Sequence, residues 1–187
     1  NHKVKTLTIK RGDLNLLPFK IIKDALKSDV YIIFGASYIK GWLSDFLINK
    51  NTYNIHMGIA PYYRGAACNF WALFDNNPSY VGATIIKLSK GLDKGDILFH
   101  ATPELKDDDD TFLFSMRAVE KAHMVLLKNL NNNKLFDFKP LPQNKKMEIR
   151  YTKNKDFNEN IIKEFLKKQI DLTNINHKNL KLIRHNV

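Results

Sequence analysis

A chain of 187 residues with one cysteine suits a single domain with a sizeable core and a small appendage, and excludes an internal disulfide or a cysteine-rich zinc site. It has no run of about eighteen apolar residues with which to cross a bilayer, and its polar, lysine-containing start is unlike a signal peptide, so a cytoplasmic protein is expected. A net charge of +11 favours anionic partners, but no aromatic-interleaved basic stripe or nucleic-acid motif accompanies it, which leaves nucleic acid a disfavoured partner.

In chain order, residues 4–9 alternate in the manner of a strand, and residues 17–26 show helical spacing with Pro18 near the start. The run Val30-Tyr31-Ile32-Ile33-Phe34 is short, β-rich and unalternating, as a strand buried on both faces should be, and it predicts a parallel sheet. Residues 42–48 read as a helix, and residues 52–55 as a strand delivering Asn54 and His56 to its end. Residues 66–74 read as a helix beyond a glycine turn, and residues 81–88 and 97–101 as two strands around the loop that holds Asp93.

The acidic cluster at residues 107–110 precedes a long amphipathic pattern through Leu127. Four consecutive carboxylates cannot converge on one metal ion without a special loop, whereas they suit a helix N-terminus, so a cap is expected and no metal site. Asn131 to Asn133 should end that helix. A domain over residues 1–140 is then followed by a short basic tail, 141–187, with one helix at 158–168 whose Ile161, Ile162, Phe165 and Leu166 are set to pack on the domain. Alternating strands and helices around a buried run indicate a Rossmann-like, doubly wound α/β fold with a mainly parallel sheet. No hydrophobic first strand with a Gly-rich turn is visible near the start, so the first βα unit reads as incomplete.

Two segments carry the chemistry. Asn54-Ile55-His56-Met57-Gly58 and Gly91-Leu92-Asp93-Lys94-Gly95-Asp96 bring an amide, an imidazole and a carboxylate on glycine-punctuated stretches. That set suits acyl transfer: an amide N–H stabilises an oxyanion, an imidazole exchanges protons, and a carboxylate orients and charge-stabilises the imidazole. Cys68 reads as buried apolar filler, and Asn69, Phe70 and Trp71 as packing.

Asn54-Ile55-His56, Pro61, Tyr63-Arg64-Gly65-Ala66-Ala67, Gly82-Ala83-Thr84 and Gly91-Leu92-Asp93-Lys94-Gly95-Asp96-Ile97 together resemble the catalytic domain of folate-dependent formyltransferases, over about residues 29–130. That family includes enzymes acting on methionyl-tRNA, on glycinamide ribonucleotide and on nucleotide-linked amino sugars. The resemblance implies formyl transfer from 10-formyltetrahydrofolate to a primary amine, with Asn54, His56 and Asp93 as the catalytic group. It further implies that Phe34, Gly35, Ala36, Ser37, Tyr38 and Ile39 border the pterin on one side, and Ser89, Lys90, Gly91 and Leu92 on the other. Arg64 either meets an anion of the acceptor or braces its loop.

Two departures bear on the acceptor. Gly58 stands where family members often carry Ser, and Ile86 where several place a His, which argues against close identity with the glycinamide ribonucleotide enzymes. The residues after Pro142 are too few and too helical for a tRNA-binding barrel, so a small amine bearing phosphate or a nucleotide, such as a nucleotide-linked amino sugar, is the expected acceptor. The alternatives are a methionyl-tRNA formyltransferase-like enzyme and a hydrolase of 10-formyltetrahydrofolate that uses water as the nucleophile.

Overall fold

The structure, a computed structural model, describes residues 4–91 and 93–183. Its centre is a four-stranded sheet in the order β1 (Tyr31–Phe34), β2 (Thr52–Met57), β4 (Ala83–Lys87) and β5 (Ile97–Ala101). β1 and β2 are parallel, as a crossover through α2 (Trp42–Ile48) requires. β4 runs antiparallel to both β2 and β5, because only residues 88–96 join it to β5 and so short a link can only turn the chain back. A second parallel pair, β3 (Tyr63–Gly65) with β6 (Arg150–Thr152), lies outside this sheet. The α/β class therefore holds, and among the described residues the parallel pairs are β1–β2 and β3–β6.

The strand expected at residues 4–9 does not form; Val4 and Leu7 are exposed, since alternation without a neighbouring strand supplies no ladder. The helical pattern at 17–26 yields only one turn, α1 (Phe19–Ile22), and a 3-10 turn at Ala25–Lys27. Among the described residues β1 pairs with β2 alone. Ile32 and Phe34 are 41% and 44% exposed, so the expected burial on both faces belongs to β5, all of whose residues are buried, and not to β1.

β2 distributes its side chains by strand alternation. Tyr53 and Ile55 join a core with Ile85, Phe99, Leu126 and Leu135. His56 faces a second core, built by Tyr63, Cys68 and Trp71 with α3 (Cys68–Phe74). α4 (Thr111–Asn131) serves both cores, burying Phe114 and Ala118 in one, and Ala122, Val125 and Leu126 in the other, at helical spacing. Its start is set as the acidic cluster predicts: the Asp110 carboxylate caps it by accepting the Leu113 N–H at 2.7 Å, and Asp109 pairs with Arg117. Asn133, in the left-handed region at φ +56°, ends it.

Residues 141–183 wrap back onto the domain. The Arg150 guanidinium grips the Asp75 carboxylate at 2.5 and 2.8 Å and lies 4.7 Å from the Trp71 ring. In α5 (Glu159–Phe165), capped by Asn158, Ile161 and Phe165 pack on the α3 core, whereas Leu166, just past the helix, is 76% exposed and Ile162 is also exposed. About two turns of helix bury one stripe, which two of the four apolar residues fill. Among the described residues no helix is long and apolar enough to cross a membrane.

His100 joins the last described segment to β5. Its Nε2–H donates to Ala60 O at 2.7 Å, and its Nδ1 accepts the Ile183 N–H at 3.0 Å, a pairing open only to the neutral ring. Burial holds the pKa of His100 below the ordinary imidazole value, and burial does the same for His177. A folded-state pKa below the unfolded one gives stability that is complete above the unfolded value and is lost as pH falls through and below about 6.5. The thermal midpoint should therefore drop between pH 7 and pH 5. A His100→Gln variant, whose amide can make both bonds without titrating, should show a shallower drop; calorimetry across that range checks both outcomes.

Candidate active site

Asn54 and His56, two apart on β2, project to one side of the sheet. Antiparallel pairing places the end of β4 beside the start of β2, where the Leu88 N–H donates to Thr52 O at 2.9 Å. The loop 88–96 must turn back over β2 to bring its carboxylate to these side chains, so the three groups meet beside β2 and not beyond the tips of a parallel sheet. Asn54 Nδ2 donates to Asp93 Oδ1 at 3.0 Å, and His56 Nδ1 lies 3.6 Å from Asp93 Oδ2. His56 is buried and Asp93 nearly so. The far imidazole nitrogen, Nε2, stands 3.4 Å from Tyr63 O and 3.6 Å from Cys68 Sγ, both long contacts.

The loop geometry is costly and well supported. Asp93 lies in the left-handed region at φ +48°, at roughly 1 kcal/mol for a residue with a Cβ. Gly95 passes so close to β4 that a Cβ there would sit 1.7 Å from Lys87 O and 2.7 Å from Ile86 Cγ2. Ile86, paired with Asn54 across the ladder and fully buried, is the apolar neighbour of Asn54 on β4. A tail residue, Gln143, donates its amide to the carbonyls of both Asp93 and Gly95 at 2.8 Å. The other side of His56 is set by Thr84, whose buried hydroxyl accepts the Ala60 N–H and donates to Gly58 O, and by Asn69, which accepts the Gly82 N–H.

Cys68 is buried, and burial pushes its thiol up to about 12, so it stays protonated against the imidazole. Gly58, at φ +141°, leaves it room: a Cβ there would lie 2.4 Å from Cys68 Cβ and 3.2 Å from His56 Nε2. The sequence pattern did not mark Cys68 as a neighbour of the imidazole, nor Gln143 as part of the site. Cys68 lies twelve residues from His56 on another element, and Gln143 fifty residues from Asp93.

The remaining candidates are placed as follows. Residues 35–39 leave the end of β1, beside β2, with Gly35 at φ +62° and the loop tied by Asn15, which donates to Tyr38 O and accepts the Lys40 N–H. Gly35, Ala36 and Tyr38 are exposed, and Ser37 and Ile39 half-buried. The Phe34 ring turns away from Asn54: it packs edge-on against His123 of α4, centroids 4.6 Å apart, on the side that Ile55 faces. Ser89, Lys90 and Gly91 open the Asp93 loop, and Leu92 lies outside the described residues. Arg64, on β3, is buried in an ion pair with Glu148 at 2.7 Å, with Tyr151 beside it, and its Nε has no hydrogen-bond partner among the described residues.

An amide and an imidazole on one strand thus both face the carboxylate of one loop, and the family follows from comparison. The model of the formyl transferase family matches residues 20–130, more than half of the chain, which therefore belongs to the formyl transferase family. It is 34% identical over 154 residues to a methionyl-tRNA formyltransferase of Caldanaerobacter subterraneus, covering 78% of this chain and 48% of the relative. With that of Caldicellulosiruptor saccharolyticus the identity is 38% over 79 residues, 42% of this chain and 25% of the relative. The chain thus spans about half or less of these curated relatives. The fold is similar to that of the formyltransferase PseJ from Anoxybacillus kamchatkensis, solved with a UDP-linked formamido sugar and tetrahydrofolate (TM-score 0.58, 23% identity, 81% of this chain and 72% of that one). It is also similar to HypX from Aquifex aeolicus, solved with tetrahydrofolic acid (TM-score 0.52, 24% identity, 73% and 23%).

A Gly58→Ala substitution should destabilise the protein by about 2 kcal/mol or more, from overpacking and from the positive φ together. The loss should shrink when Cys68→Gly removes the opposing Cβ, although that change alone weakens α3. A double-mutant cycle by urea denaturation reads the coupling directly; strictly additive losses would mean the two residues do not meet.

Proposed function

We propose that the protein is an N-formyltransferase that moves a formyl group from 10-formyltetrahydrofolate to a primary amine, with Asn54, His56 and Asp93 as its catalytic residues. The observation that carries this reading is their contact: one carboxylate oxygen takes an Asn54 hydrogen while the other faces the imidazole. The Asn54 amide has a second hydrogen to offer, and His56 Nε2, held only by long contacts, can exchange them for a shorter bond to a substrate oxygen. Bound 10-formyltetrahydrofolate supplies a formyl carbon whose oxygen gathers negative charge as the amine's lone pair adds to it and, on collapse, the folate nitrogen leaves.

Asn54 and His56 donate hydrogen bonds to that oxygen. Asp93 keeps the imidazole oriented and stabilises its cationic form, and the proton the amine loses ends on the departing folate nitrogen, which needs it to leave as an amine. The residues present fit the co-substrate: the backbone of residues 34–37 at the end of β1 and of residues 89–91 in the Asp93 loop flank the group, with the exposed Tyr38 ring beside the first. The Phe34 ring is better assigned to packing against α4, and Arg64, already paired with Glu148, to bracing β3.

The acceptor we propose is a nucleotide-linked amino sugar. One observation supports it: PseJ, a formyltransferase solved with a UDP-linked formamido sugar, shares this fold over most of both chains. Methionyl-tRNA is the second reading, favoured by the names of the curated relatives.

Replacing His56 by Ala or Asp93 by Asn should lower formyl transfer roughly a hundredfold or more, with folding and folate binding nearly intact. Equal losses of binding and stability would make these residues structural. Assays with 10-formyltetrahydrofolate against methionyl-tRNA and a panel of nucleotide-linked amino sugars decide the acceptor: turnover of a sugar supports the first reading, and turnover of methionyl-tRNA alone overturns it. Formate release that needs no amine would mark a hydrolase instead.

A further inference from the structure

Gln143 belongs to none of the sequence motifs, yet it is the point at which the C-terminal segment touches the catalytic loop. Two residues before it, Leu141 and Ile97 exchange both backbone hydrogen bonds, at 2.8 and 2.9 Å, in an isolated antiparallel bridge at the start of β5. That bridge carries the Gln143 side chain to the carbonyls of Asp93 and Gly95, each accepting from Nε2 at 2.8 Å. Two carbonyl acceptors dictate which way the amide faces, since only its NH2 end can donate. Its Oε1 is then buried without a hydrogen-bond partner among the described residues. An apolar side chain of the same length would avoid that orphan oxygen but leave two loop carbonyls unmet.

We infer that Gln143 is a positioning residue: by holding the Asp93 and Gly95 carbonyls it keeps the Asp93 carboxylate on Asn54 and beside His56. The need for such a clamp follows from the loop. Asp93 has a left-handed backbone, which is unfavourable for a residue with a Cβ even though aspartate tolerates it better than most, so contacts from neighbours help to hold it. Gly95 is pressed against the Lys87 carbonyl and has no slack. Asn54 restrains the carboxylate and Gln143 restrains the main chain, from opposite ends of the same residue. The catalytic part of the inference rests on the proposed role of Asn54, His56 and Asp93; the geometric part does not.

Three variants of the full chain test it. Gln143→Met keeps the length and removes both donations, Gln143→Glu sets an acceptor against two acceptors, and Gln143→Asn keeps the amide on a shorter arm. In protein labelled with nitrogen-15 at asparagine, the Asn54 side-chain amide resonance should move in the Met and Glu variants toward that of a solvated amide, and the circular dichroism should stay native. The kcat for formyl transfer should fall roughly ten- to a hundredfold, with the acceptor KM changed less than about threefold. In the Glu variant kcat should recover partly as pH falls, because a protonated carboxyl regains one donor; the Met variant should show no such recovery.

An Asn54 signal unmoved in folded Met and Glu variants overturns the inference, whatever the activity. A moved signal with wild-type kcat overturns the catalytic part. A moved signal in a protein that transfers no formyl group even in its native form sustains the clamp and rejects the proposed function instead.

Discussion

The contact between the Asp93 carboxylate and the side chains of β2 is the constraint to which the rest of the site answers. A carboxylate this close to a buried imidazole has to be held there by the backbone of its loop. The left-handed Asp93, the glycine pressed on the Lys87 carbonyl and the amide of Gln143 are the means. Each removes a freedom from residues 88–96, and together they convert a hairpin connection into a fixed wall of the site. The antiparallel course of β4 makes this necessary, since it releases the loop at the start of β2 and the loop has to return.

The opposite wall is built by a different economy of space. Gly58 has no Cβ, Cys68 fills the gap with a small, protonated thiol, and the Thr84 hydroxyl closes the turn at residues 58–60 by donating to one backbone group and accepting from another. His56 is thereby packed firmly on its Cys68 side while its Nε2 has only long polar contacts. Tight packing fixes the ring; weak polar contacts leave the nitrogen available. Both conditions suit the proton-handling role proposed for His56.

The C-terminal segment ties these walls to the body of the protein. β6 pairs with β3, Arg150 grips Asp75 over the Trp71 ring, Glu148 neutralises buried Arg64, and Ile183 closes on His100. Its basic residues are thus unequal. Arg150 is an internal strut, whereas Lys163 is exposed and pairs with Glu159 one turn away, a contact of little weight in water. The positive charge of the segment says less about partners than its count suggests.

Residue type and short spacing determined what local rules govern. The Asn-x-His pair had to share one side of a strand, the aspartate cluster had to cap a helix, and residues 97–101 had to form a strand. The family was legible for the same reason, its signature being side chains in an ordered local pattern. Only tertiary structure decided the partners of those residues. It left the Val30–Phe34 run half-exposed at a strand with one paired edge, turned Phe34 toward α4, paired Arg64 with Glu148, and brought Gln143 to Asp93 across fifty residues of chain. Such contacts depend on strand direction and on where a connection re-enters the domain, and strand direction is a property of the assembled sheet that no stretch of residues carries by itself.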